Sequence, residues 1–190
     1  MLQDSIASIE KGLNVHPEVT MNLRRGRNKE EIKVGIGHDV HALGSGRKLI
    51  LGGVDIPYDR GLLGWSDADV ATHAIIDALC GAADLGDIGT QFPSGDPKYE
   101  NISSLTLLTK IAELVKAKGL LVGNIDVTVI AQRPRLSPFV SEMRKHISQA
   151  LGVESAQVTI KATTADGLGF VGREEGIAAQ AVALVRKKPR

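Results

Sequence analysis

From residue 32 to residue 186 the chain repeatedly exchanges an apolar repeat of two residues for one of three to four. That alternation restricts it to a sheet with helices packed on it, because each period buries one face of a strand or one stripe of a helix. Residues 32–41 alternate and predict a strand that ends in Asp-Val-His. A turn at Gly44–Gly46 leads to a possible return strand at 47–51. The spacing predicts a helix over 66–84, capped at Ser66, with Val70, Ala74, Ile75, Ala78, Leu79 and Ala82 as its stripe. A second helix is expected over 103–118, stopped by Gly119, and a third over 138–151, stopped by Gly152. Strands are expected at 122–131, 157–163 and 177–186. The sum is an α+β fold: a four-stranded mixed sheet covered by helices on one face, ferredoxin-like. Strands 122–131 and 177–186 carry small or aliphatic residues on both sides. This predicts that another subunit covers the open face.

Composition narrows the function. Aromatic residues make up only 3% of the chain, so the core must be aliphatic. A net charge of +1 argues against a nucleic-acid partner held by bulk charge. No apolar run is long enough for a membrane span. One cysteine, Cys80, and the lack of a signal-peptide pattern point to a reducing, cytoplasmic setting. Residues 1–31 are polar and rich in charge toward their end, and are expected to be a flexible N-terminal extension ahead of a domain at 32–190.

The chemistry concentrates in three residues. Asp39 and His41 sit two apart on a strand and share a face, which turns His38 to the other side. His73 lies on the first helix, spaced i, i+4, i+8 with Asp69 and Asp77. Two imidazoles and a carboxylate suit a borderline-soft ion such as zinc with one position open. Asp69 or Asp77 is expected to hold the free nitrogen of His73. Backbone N–H groups around Ser66, with Arg133, Arg135, Thr163, Thr164, Asp166 and Arg173 elsewhere, suggest a phosphorylated substrate. On these residues alone, a zinc hydrolase of phosphate esters remains an alternative.

In combination the motifs are more specific. Gly-His-Asp-Val-His-Ala at 37–42, Ser-Asp-Ala-Asp-Val-Ala-Thr-His-Ala at 66–74, Gly-Asp-Ile-Gly at 86–89, Asp-Val-Thr-Val-Ile-Ala-Gln at 126–132, and Lys-Ala-Thr-Thr at 161–164 leading to Leu-Gly-Phe-Val-Gly-Arg at 168–173 follow in order. Over about 32–187 the chain resembles the 2-C-methyl-D-erythritol 2,4-cyclodiphosphate synthase family. The resemblance implies a homotrimer with active sites between subunits. Its reaction converts 4-diphosphocytidyl-2-C-methyl-D-erythritol 2-phosphate to the cyclic diphosphate with release of CMP, in non-mevalonate isoprenoid biosynthesis. It implies zinc on Asp39, His41 and His73, and magnesium or manganese on Asp166. Thr164 and Trp65 occupy the catalytic positions, Trp65 standing where many members carry His. The implied substrate contacts are Asp39, His41, Ser66, Asp87, Ile88, Gly89, Phe92 and Asp96 toward the phosphates and methylerythritol. Ala131, Arg135, Leu136, Thr163, Thr164 and Asp166 lie toward the nucleotide, and Phe170 and Arg173 near the trimer axis. Asp166 stands where Glu is usual, Ser94 replaces a frequent Asp and Arg135 a common Lys.

Overall fold

The computed structural model describes residues 31–188. The extension expected at the N-terminus therefore lies, apart from Glu31, outside the described residues. Strand β1 (Ile32–Gly44) runs antiparallel to β7 (Gly176–Lys187), from Ile32 opposite Arg186 to Ala42 opposite Gly176. On its other side β7 pairs antiparallel with β5 (Leu120–Ile130), which carries a bulge between Val122 and Asn124. Beyond β5 lies β6 (Val158–Thr163), parallel to it. Two short strands, β2 (Leu49–Leu51) and β3 (Val54–Ile56), form a separate hairpin, and β4 (Gly61–Leu62) extends the edge of β1.

The four long strands are those expected, and the sheet is mixed. Two features differ. The sheet has five strands, in the order β4-β1-β7-β5-β6, because the two-residue β4 adds an edge. It is also not ferredoxin-like. That arrangement splits its βαβ units with a strand between, whereas here β5 and β6 are direct parallel neighbours. The connection that makes them so is helix α4 (Val140–Leu151), ended by left-handed Gly152.

Helix α1 (Val70–Ala83) is the centre of the packing. It begins four residues later than expected. Ala68 takes a positive φ, and Asp69 rather than Ser66 caps the helix, its carboxylate accepting the Thr72 N–H. Instead of one stripe, nearly the whole helix is buried, with only Asp77 and Gly81 reaching solvent. The sheet covers one side and helix α3 (Ser104–Ala117) another, through Leu107, Leu108, Ile111 and Val115. Each fully buried Leu or Ile contributes about 1.5–3 kcal/mol. Helix α2 (Ile88–Gln91) follows α1 after a short loop. A last single turn, α5 (Gly169–Gly172), precedes β7.

The contact between α1 and β1 depends on glycine. A Cβ at Gly35 would lie 2.0 Å from the Ala78 carbonyl oxygen, and one at Gly37 would lie 2.0 Å from that of Ala74. With both absent, the helix backbone rests directly on the strand. The opposite face of the sheet has no such cover among the described residues. Val34 and Ile36 on β1 are 61% and 75% exposed, and Val40 and Val182 lie on the same open side.

Candidate metal centre

The strand and the helix bring Asp39, His41 and His73 together as expected. Asp39 Oδ2 lies 3.0 Å from His41 Nε2 and 2.9 Å from His73 Nδ1, and the two imidazole nitrogens are 3.2 Å apart. His38 points away and is exposed on the open face. This donor set fits a divalent ion on one observation in particular. The remaining nitrogen of His41, Nδ1, is 2.7 Å from the Leu63 carbonyl, which can only accept. In the neutral ring the proton therefore sits on Nδ1, which leaves the Nε2 lone pair to face the centre.

Charge is arranged accordingly. Burial works against ionising Asp39, but hydrogen bonds from His41 and His73 outweigh it and hold the carboxyl well below its ordinary range. Burial likewise works against protonating His41, and the Asp39 carboxylate outweighs it and raises the imidazole.

The other nitrogen of His73 is held by neither expected acid. Its Nε2 lies 2.9 Å from Ser104 Oγ and 3.1 Å from Ser66 Oγ. Asp69 is fully buried and engaged elsewhere, accepting from Gly52 N–H, Gly53 N–H and Thr72, so it ties the β2–β3 turn to the start of α1. Burial pushes its carboxyl up. Asp77 accepts the Ile88 N–H and anchors α2. The backbone anion nest expected around Ser66 is also closed. Asp67 N–H donates to Ile102, Ala68 N–H to Ser66 Oγ, and Asp69 N–H to Asp67. Ser66 itself still lines the cavity beside the three donors. In the sequence Ser104 reads only as part of the start of the helix expected over 103–118. Two serines before an apolar run announce a cap and nothing more, so no local signal marks its reach toward His73.

The three donors form one wall of a cavity of about 180 Å³, whose other walls include Trp65, Ser66, Ile88, Gly89 and Phe92. Ser94, Tyr99 and Leu107 complete it. Trp65 is tied down at its far end, its indole N–H donating 3.0 Å to the Asp96 carbonyl. Two expected contacts act from behind the wall: Asp87 caps α2 through Thr90 N–H, and Asp96 caps a 3₁₀ turn at Pro97–Tyr99 and pairs with Lys98.

A second cavity, of about 520 Å³, opens at the ends of β5 and β6 and is lined by Ala131–Ser137 and Ala162–Thr164. Arg135 is there, its Nε donating to Ser137 Oγ. Thr164 Oγ1 donates 3.1 Å to Asp166 Oδ1 just outside it. No residue lines both cavities. Phe170 and Arg173 lie in neither, and Arg173 pairs with Glu175.

Residues 32–186 match the YgbB family. The 2-C-methyl-D-erythritol 2,4-cyclodiphosphate synthase of Dehalococcoides mccartyi is 55% identical over 83% of this chain and 100% of its own length. Among solved structures, the bifunctional IspDF of Campylobacter jejuni superposes with a TM-score of 0.81 at 40% identity, covering 84% of this chain and 43% of that one. IspF of Plasmodium falciparum, in a CDP complex, does so at 0.73 and 33% identity, covering 83% and 97%. With Asp39, His41 and His73 gathered in one cavity, the chain belongs to the YgbB family and is a member of the 2-C-methyl-D-erythritol 2,4-cyclodiphosphate synthases.

Proposed function

We propose that this chain closes 4-diphosphocytidyl-2-C-methyl-D-erythritol 2-phosphate into the 2,4-cyclodiphosphate and releases CMP. The observation that carries the reading is the convergence of one carboxylate oxygen and two imidazole nitrogens within 4.8 Å of one another, in a chain of this family. In this reaction an oxygen of the 2-phosphate attacks the β-phosphorus, and the bond to the CMP oxygen breaks. The nucleophile is part of the substrate, so the protein must position it and neutralise charge.

Asp39, His41 and His73 would hold a divalent ion, and the donor chemistry favours zinc. Such an ion supplies positive charge to the phosphate oxygens. The Ser66 hydroxyl accepts from Ala68 and keeps its own proton free, so it donates to a phosphate oxygen. Trp65 stands as a wall that keeps water from the reacting diphosphate. Ile88, Gly89 and Phe92 enclose the methylerythritol, with Asp87 and Asp96 shaping the loops that carry them. Ala131, Arg135, Leu136 and Thr163 frame the cytidine. Thr164 donates to the transferring phosphate, and Asp166 with phosphate oxygens would hold magnesium or manganese.

The same reading includes a homotrimer. The centre lies on β1 and the second cavity on β5 and β6. From β1 to β6 is roughly 14 Å, three strand spacings. A neighbouring subunit's 131–137 loop completes the first cavity, and the exposed Val34, Ile36 and Val40 pack against other copies. Phe170 and Arg173 then lie near the axis. A cytoplasmic setting accords with the buried Cys80, whose thiol burial pushes up to about 12. Among the described residues no helix is long and apolar enough to cross a membrane.

The test is to incubate the purified protein with substrate and follow ³¹P resonances. A cyclic diphosphate and CMP are expected. A linear phosphate product would mean water is the nucleophile and would overturn the cyclase reading.

A further inference from the structure

If His73 offers Nδ1 to the centre, its Nε2 carries the ring proton. Two hydroxyls lie within reach of that proton, and their other hydrogen bonds decide between them. Ser104 Oγ donates to Asp67 Oδ1, and the Ser104 N–H donates 2.9 Å to Asp67 Oδ2. Both polar hydrogens of Ser104 are thus spent on one carboxylate. Its oxygen turns only lone pairs toward His73, at 2.9 Å. The residue is fully buried, so water does not compete. Ser66 Oγ is farther from Nε2, already accepts the Ala68 N–H, and lines the cavity.

We propose that Ser104, backed by Asp67, is a positioning residue that fixes the orientation and tautomer of His73 and so sets the affinity of the centre for its divalent ion. Ser66 is left free for substrate. The proposal rests on the metal reading above.

The relay runs one way: His73 Nε2–H to Ser104 Oγ, and Ser104 O–H to Asp67. A carboxylate has no hydrogen to return, so the direction cannot reverse. In Asp67→Asn the side chain must meet two donors on Ser104 while carrying a donor of its own. Turning the Ser104 proton toward Nε2 relieves that conflict and moves the ring proton to Nδ1, where it blocks the metal. The source of the polarity is distant in sequence. Asp67 precedes α1, and Ser104 is the first residue of α3, so the start of one helix orders a ligand on another.

The experiment uses the full chain, stripped of metal and titrated with zinc against a chromogenic chelator. Ser104→Ala and Asp67→Asn are each expected to weaken zinc binding about 10–100-fold. Ser66→Ala should stay near the wild-type value while weakening CDP binding. In the zinc-bound wild type, the His73 Nε2 proton should appear as a slowly exchanging, downfield resonance that Ser104→Ala removes. A role in folding alone would not move that signal. If Ser104→Ala does not fold, Asp67→Asn and the proton resonance carry the test. Unchanged zinc affinity and an unchanged resonance in the variants would overturn the proposal, as would a larger effect of Ser66→Ala on zinc. If instead the wild type takes up no zinc, or His73→Ala binds it equally well, the metal reading itself fails and this inference falls with it.

Discussion

The two cavities of this chain are built in opposite ways. The cavity holding Asp39, His41 and His73 is narrow, and these three donors are committed to partners. His41 is fixed by a backbone carbonyl, His73 by a buried serine, and Asp39 by both histidines. The cavity at the ends of β5 and β6 is nearly three times larger, and loop residues supply most of it. Arg135, one of its two arginines, is exposed and, among the described residues, donates to Ser137 alone. Reaction chemistry demands donors placed within fractions of an ångström, and packed elements provide that. Recognition of a nucleoside, the part proposed for the second cavity, tolerates adjustment, and loops provide that. Loss of a donor from the first cavity should therefore abolish function, while loss of Arg135 from the second should tune affinity.

The largest effect is expected from His41→Ala or His73→Ala. Each removes a donor outright, and turnover should fall below about one-hundredth, more than the loss of a group that merely supports a ligand. Residual metal should be measured in the same samples. Retained metal and turnover in both would erase the contrast between the cavities.

Gly37→Ala comes next. It forces a Cβ against the Ala74 carbonyl, so a loss of about 1–3 kcal/mol in stability is expected, together with weakened metal binding. Thermal melts and zinc titration would read both. Arg135→Ala, in the looser cavity, should raise KM by about tenfold or less, near 1.4 kcal/mol, and leave kcat alone. A drop in kcat instead would show that Arg135 also shapes the reaction.

The pH dependence of the metal-free protein separates the cavities further. The folded carboxyl of Asp39 is depressed, so its stabilisation is present above the ordinary carboxylate range and is lost as pH falls through the folded value. The folded imidazole of His41 is raised, so its stabilisation is complete below its ordinary value of 6.5 and is lost as pH rises through the folded one. Stability should therefore crest between these limits. Zinc affinity should climb with pH across the upper one, because the ligand must be neutral. Denaturant melts from pH 3 to 9 would show this crest, and His41→Ala should flatten its alkaline side. The smallest effect is expected from Trp65→Phe. It keeps an aromatic wall and loses one hydrogen bond to Asp96, worth about 1 kcal/mol. Trp65 is the only tryptophan, so its fluorescence can follow ligand entry directly.

Much of this was legible in the residues. Long strands and helices declare themselves by period, and Asp39 and His41 by their two-residue spacing. What escaped detection was short or distant. A strand was expected at 47–51, where β2 lies, but its partner β3 and the two-residue β4 are too brief to show a period. The start of α1 was missed because Asp69 competes with Ser66 as a cap, and its partners at Gly52 and Gly53 are seventeen and sixteen residues away. The side-by-side parallel placement of β5 and β6 depends on where α4 returns the chain, which no local pattern encodes. Ser104 lies 31 residues from His73, so its part in the centre emerges only from the packing of α3 on α1.

The bare strip of β1 at Gly35 and Gly37 has a consequence for the centre. His73 rides on α1 and Asp39 and His41 ride on β1, so the gap between helix and strand is a gauge for the three donors. A single methyl group in that gap would widen the gauge by more than a coordination bond can stretch. Two residues that touch no ligand therefore calibrate the metal centre, and the smallest side chains in the strand carry its tightest tolerance.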